Sequence, residues 1–329
     1  MSMAASRGPI CRREHEPFNH ECDLCRTRLS AGIMAARIQR IGDTQDLLGE
    51  SPVWDEINNC LCWIDSVAGI IRRLDFKDET LHDLRLPSPI GSIALAQNNT
   101  AIVALKQSFV LLDLATGAIG EVGSIGVTHP HVRLNDGKVD RNGAFICGTM
   151  HSSRQNGEEI VGGIYRVGAD LSVTRLAEGL GTANGPCFSP SGRTMYISDS
   201  STRQMWAYEY DSGGELGERR LFADTDQFGS GVDGATVDAE GRIWGVLVRS
   251  GKIICFEPNG RVDCIMDVPL THPTSLCFGG PELDRLFFTS LSRSTHLKAE
   301  EEGAGGLFVI EGLDAKGLPA DRFDRGTIV

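Results

Sequence analysis

Glu50, Asn135, Asn184 and Asp233 lie far apart in the chain, yet each stands five positions before a polar turn between two apolar runs. The four turns are Asp55-Glu56-Ile57-Asn58-Asn59, Asp140-Arg141-Asn142-Gly143, Ser189-Pro190-Ser191-Gly192 and Asp238-Ala239-Glu240-Gly241. Two further turns, Gln97-Asn98-Asn99 and Gly279-Gly280-Pro281, carry only the hydroxyls of Ser92 and Thr274 at that offset. Carboxylate and carboxamide oxygens are hard donors, suited to Ca²⁺, Mg²⁺ or Mn²⁺, with Zn²⁺ also within their range. Two carboxylates balance one divalent charge. A cation held with open positions polarises a carbonyl and activates water, and a carboxylate at its edge can act as general base. Arg133, two residues before Asn135 and so on the same side of a strand, offers a planar fork for substrate oxygens. Turn chemistry alone explains Asn135-Asp136-Gly137, Asn184-Gly185 and Asp233-Gly234 taken singly. It does not explain Glu50-Ser51-Pro52, nor why all four share one offset.

The elements that would bring these residues together follow from the same turns. Beyond residue 36 the chain is a series of short alternating runs, such as Cys60-Leu61-Cys62-Trp63-Ile64-Asp65 and Met195-Tyr196-Ile197-Ser198-Asp199, with no amphipathic helix of three turns. The six turns recur at roughly 40–50 residues, the size of a four-stranded propeller blade and much longer than a β-helix repeat. The expected architecture is all-β, a six-bladed β-propeller over residues 34–329. Equivalent positions near the start of the innermost strands then converge on one central channel.

Composition bounds what such a channel serves. The 329 residues carry a formal net charge of −12, and no basic block is present to meet phosphates, which argues against nucleic acid and against an anionic membrane surface. No apolar run approaches the roughly 20 residues of a membrane helix, and the leading residues lack the apolar core of a signal peptide. Most of the ten cysteines lie in apolar runs and read as buried reduced thiols, so the expected location is cytoplasmic. Residues 1–33 read as a flexible extension before the patterned chain. They contain Cys11, His15, His20, Cys22 and Cys25, of which Cys22-Asp23-Leu24-Cys25 has the spacing of a zinc ligand pair.

Several stretches resemble the regucalcin/gluconolactonase family, which includes the senescence-marker and luciferin-regenerating-enzyme-like proteins. They are Gly49-Glu50-Ser51-Pro52-Val53-Trp54-Asp55, Arg133-Leu134-Asn135-Asp136-Gly137-Lys138-Val139-Asp140 running on to Gly148-Thr149-Met150, Ala183-Asn184-Gly185-Pro186, Val232-Asp233-Gly234 and Cys277-Phe278-Gly279-Gly280. The resemblance covers about residues 38–315. It implies a six-bladed propeller holding one divalent cation and hydrolysing a sugar-acid lactone to the aldonate. It implies Glu50, Asn184 and Asp233 as metal ligands, with Asp233 also the catalytic base, and Arg133 and Asn135 as substrate-binding residues. The repeat offset by itself leaves Asn135 open as a direct ligand. Two positions depart from the family pattern. His151-Ser152-Ser153 follows Met150 where the animal branch has acidic residues, which makes His151 a candidate substrate contact, and Val232 stands where proline is usual. The alternatives are another ester or phosphotriester hydrolase on the same metal, or a non-catalytic calcium-binding propeller.

Overall fold

A computed structural model of the chain describes residues 36–155 and 157–324, with the backbone of His20 and Glu21. Cys11, His15, Cys22 and Cys25 lie outside the described residues, as does most of the 1–33 segment. His20–Glu21 pairs antiparallel with Arg37 and Ile38. Among the described residues there is no α-helix, only the 3-10 turn Asp226–Phe228.

The strands fall into six antiparallel sheets, five of them four-stranded meanders, forming the expected six-bladed propeller. The innermost strands are Gly49–Asp55, Ile90–Leu95, Val132–Val139, Ala183–Phe188, Val232–Val237 and Pro273–Gly279. Within a blade, burial falls outward. Ala183–Phe188 is buried at every position, whereas the outermost strand Leu81–Arg85 is mostly exposed. Inner strands such as Ile90–Leu95 therefore read as apolar runs, broken in others by polar residues such as Glu50, Arg133 and Asp136, and the outer ones read as polar. The turns that set the repeat are fixed by their own side chains. The Asp55 carboxylate accepts from the backbone N–H of Ile57 and Asn58, Asp140 from Asn142 and Ala144, and Asp238 from Glu240 and Arg242.

Blade six is closed by a strand from the other end of the chain. Arg37–Ile41 pairs antiparallel with Leu307–Glu311, so the first patterned strand completes the last blade. This pairing closes the ring and removes two exposed sheet edges.

The C-terminal segment runs across the face where the innermost strands end. Gly317 N–H donates to Leu283, Phe323 N–H to Leu95 and Asp324 N–H to Gly143, all within or beside the turn ends of different blades. Phe323 is fully buried beside Ala94, Ala96 and Phe145. Leu318, Pro319, Ala320 and Asp321 line the axial cavity at this end, together with Trp54, Lys138 and Phe278. The channel is thus capped at one end, and the open mouth is where the innermost strands begin.

Candidate active site

At the mouth, every innermost strand carries a one-residue irregularity in its pairing. It lies between Glu50 and Val53, Ile90 and Ser92, Leu134 and Gly137, Asn184 and Cys187, Val232 and Ala235, and Pro273 and Leu276. Such bulges re-aim side chains and interrupt strict alternation. In blades one and four the backbone passes through the left-handed region directly after the proposed ligand, at Ser51 (φ 52°) and Gly185 (φ 55°), and proline follows both. At Gly185 a Cβ would stand 2.7 Å from the Asp233 carbonyl oxygen, so glycine is required for close approach as well as for φ. Ser51 takes the same conformation with a side chain. Its Oγ accepts from Ile93 N–H at 3.1 Å and donates to the Ile93 carbonyl at 3.2 Å, tying blade one to blade two and holding the strained residue in place.

The expected residues of blades three and four are in direct contact. Asn135 Nδ2 donates to Asn184 Oδ1 and, at 3.0 Å, to the Ala183 carbonyl. Asn184 Nδ2 donates to Ser200 Oγ at 2.9 Å, and Ser200 Oγ donates to the Val232 carbonyl beside Asp233 at 2.7 Å. These bonds fix the Asn184 amide with its oxygen still offering a second lone pair.

Glu50, Arg133 and Asp233 form a charged group with one member that the repeat offset does not select. Burial raises the Glu50 carboxyl well above the usual range, and repulsion from Asp233 and Asp136 raises it further against the opposing pull of Arg133. Asp233 is pushed up to about 8, first by burial and then by Asp136, with Arg133 and Arg249 acting against the rise. The Arg133 pKa is itself lowered by burial, while Glu50 and Asp233 support its charge. Asp136 is raised by burial too, although its carboxylate accepts from Gly185 N–H at 2.9 Å and Gly137 N–H at 2.8 Å. Glu50 and Asp233 thus share the half-buried Arg133 guanidinium, while Asp136 repels both and has Lys138 as its own counter-charge. Asp136 escapes a one-residue-per-blade reading because the bulge brings two consecutive residues toward the axis. Its neighbour Lys138 donates to the Ala235 carbonyl at 2.7 Å and steadies Asp136 electrostatically.

This arrangement fits a divalent cation. Buried carboxylates that repel one another and lack enough positive partners lose their protons most readily to a cation placed among them. Glu50 from blade one and Asp233 from blade five, with the Asn184 oxygen from blade four, supply hard donors and charge balance. Cys147, whose Sγ lies 3.5 Å from the Asn135 carbonyl, is not a competing nucleophile, since burial pushes its thiol up to about 12.

His151 lies in a different group, at the rim. It pairs across the strands with Val132, one residue from Arg133, and its ring packs on His129 with centroids 4.6 Å apart. Its Nε2 is 3.2 Å from His129 Nδ1 and 3.7 Å from Glu158 Oε1, and burial lowers its pKa. From the blade opposite, His296 Nε2 donates to the Ser152 carbonyl at 3.0 Å, so a loop of blade six crosses to blade three at the mouth.

Comparison with known proteins agrees with this fold. The chain is 35% identical over 247 residues to 6-deoxy-6-sulfogluconolactonase of Pseudomonas putida, covering 74% of this chain and 83% of that protein. It is 30% identical over 293 residues to L-arabinolactonase of Azospirillum brasilense, covering 88% and 96%. The crystal structure of regucalcin from Agrobacterium tumefaciens, described as a calcium-binding protein, superposes with a TM-score of 0.78 at 27% identity, covering 86% of this chain and 96% of that one. Residues 48–292, from just before Glu50 to beyond the last innermost strand, match the SMP-30/Gluconolactonase/LRE-like region, and the chain belongs to that family.

Proposed function

We propose that the protein is a lactone hydrolase that opens a sugar-acid lactone to the aldonate with one divalent cation at the channel mouth. The observation that carries this reading is the convergence of Glu50 and Asp233 on Arg133, with Asp136 repelling both carboxylates. Glu50, Asn184 and Asp233 would hold the cation, which when bound supplies a polarised carbonyl and a more acidic water. Ca²⁺, Zn²⁺, Mn²⁺ and Mg²⁺ are all compatible with this donor set. Asp233 takes the proton of the attacking water. With its pKa at about 8 in the cation-free chain it is largely protonated at neutral pH, so positive charge beside it is what makes it a base. Arg133 stabilises the negative charge that develops on the carbonyl oxygen. Asn135, held against Asn184, orients the substrate's oxygens, and His151 stands beyond them at the rim. The lactonases of P. putida and A. brasilense, both acting on sugar-acid lactones by name, support the substrate class. The C-terminal cap leaves substrate one way in and out.

The remaining assignments belong to the same reading. Residues 34–329 would form the catalytic propeller, with residues 1–33 a leading extension of which His20–Glu21 pairs with the edge of blade six. The setting is cytoplasmic, which suits the seven free cysteines among the described residues, and no helix among those residues is long and apolar enough to cross a membrane.

Acid release from a panel of aldonolactones, with and without chelator, tests the reading. Release from at least one lactone, abolished by chelator and restored by a divalent cation, is expected. Tight, reversible Ca²⁺ binding with no release from any lactone would favour a non-catalytic calcium-binding propeller.

A further inference from the structure

We propose that His129, His151 and Glu158 form a second cation site at the rim, for a zinc-type ion rather than the oxygen-seeking ion of the axis. The three residues come from separate segments: the loop entering blade three, the end of its second strand, and the loop that follows. One potential ligand atom from each lies within 4.8 Å of the others. His151 Nε2 stands 3.2 Å from His129 Nδ1 and 3.7 Å from Glu158 Oε1, and His129 Nε2 stands 3.0 Å from Glu158 Oε1. An ion takes one His129 nitrogen, so either Nδ1 with His151 or Nε2 with Glu158 already stands near the roughly 3.4 Å that separates ligands 2.0–2.1 Å from a tetrahedral zinc, and a side-chain rotation brings in the third ligand. Imidazole nitrogen with a single carboxylate is the donor set of zinc, with cobalt, nickel and copper as its competitors, and not of calcium.

Two further observations bear on the site. The His151 side chain is only 2% exposed, which holds its Nε2 toward His129 and Glu158. Glu158 is pre-positioned, because its carboxylate accepts from Gln155 N–H at 2.8 Å. The backbone around the site is also tied, with Ser152 N–H donating to the His131 carbonyl at 2.8 Å.

The site is distinct from the axis. Val132 and His151 are paired and share a face of the blade, so Arg133, the next residue, points to the other face. With three protein ligands, a fourth position stays open to water or to an oxygen of whatever enters the mouth.

The test is zinc stoichiometry by equilibrium dialysis on the chelator-treated full chain. Wild type, His129→Ala/His151→Ala, Glu158→Gln and Cys22→Ser/Cys25→Ser are compared, the last to account for zinc bound by the leading segment. The rim double variant is expected to bind one Zn²⁺ equivalent fewer than wild type, and Cys22→Ser/Cys25→Ser to keep the rim equivalent. Co²⁺ should give the visible absorption of a tetrahedral nitrogen–oxygen site in wild type and lose it in the double variant. Glu158→Gln, a change on a solvent-facing loop, should weaken the rim equivalent by roughly 100-fold or more, beyond what loss of an outer-sphere partner costs. Unchanged stoichiometry and unchanged Co²⁺ absorption in the double variant would overturn the site. Should that variant not fold, unchanged zinc affinity in Glu158→Gln would overturn it equally. None of these readouts depends on lactone hydrolysis.

Discussion

The two ends of the channel treat buried charge in opposite ways. At the capped end, each of three carboxylates has an arginine against it: Asp55 with Arg322 at 2.5 Å, Asp321 with Arg141 at 2.5 Å, and Asp238 with Arg242 at 2.7 Å. At Asp55 burial alone would raise the pKa, but hydrogen bonds from Asn58 and Arg322 and the Arg322 charge more than offset it, and the net shift is downward. At the mouth, burial acts on Glu50 and Asp233 with too little positive charge beside them, and both are raised. On the proposed reading, the same residue type serves closure at one end, where it is paired, and would hold a cation at the other, where positive partners are too few.

If that contrast is right, substitutions at the two ends should separate stability from cation binding. The largest effect is expected from Asp233→Ala or Glu50→Ala, which should lower lactone hydrolysis by about 1,000-fold or more, in the range seen when an essential electrostatic group is removed. Cation affinity should fall with it, while thermal unfolding of the cation-free variants at pH 8 stays level or moves upward. Wild-type turnover in either variant would break the assignment. At the opposite end, Arg322→Ala leaves Asp55 buried without its guanidinium and should cost about 3 kcal/mol of stability, read by denaturant unfolding. Its cation affinity should match wild type.

A pH series sharpens the contrast further. Glu50 and Asp233 bind protons more tightly in the folded, cation-free chain than in the unfolded one. Between the unfolded carboxylate range near 4 and the Asp233 value of about 8, the folded chain therefore holds the extra protons, and its stability falls as pH rises. A divalent cation replaces those protons, so the Tm increase on adding Ca²⁺ should be larger at pH 8 than at pH 5. An increase that shrinks with rising pH would contradict the raised carboxyls. The smallest effect belongs to Asn135→Ala, which should raise KM roughly tenfold, consistent with loss of one or two substrate hydrogen bonds, with cation affinity changed little.

Much of this was legible in the sequence because it is written locally. Polar turns such as Asp140-Arg141-Asn142-Gly143 close hairpins through their own Asp side chains, so the blade repeat survives in residue type and spacing alone. Glu50, Asn184 and Asp233 were visible because equivalent strand positions converge on an axis by geometry. What stayed hidden depends on contacts between distant segments. Strand Arg37–Ile41 joins blade six across nearly the whole chain, and nothing in its alternation names its partner. Asp136 looked like turn chemistry until the bulge placed it with the carboxylates. The rim group needs His129, His151 and Glu158 from three segments at once, and the C-terminal cap shows no periodicity because it forms no regular strand.

The most direct test of the central claim is a calorimetric Ca²⁺ titration of the chelator-treated full chain at pH 7, run in two buffers of different ionisation enthalpy. The account predicts binding at the axis with net release of protons from the raised carboxyls, and loss of both binding and proton release in Glu50→Ala/Asp233→Ala. Binding without proton release, or undiminished binding in that double variant, would contradict it.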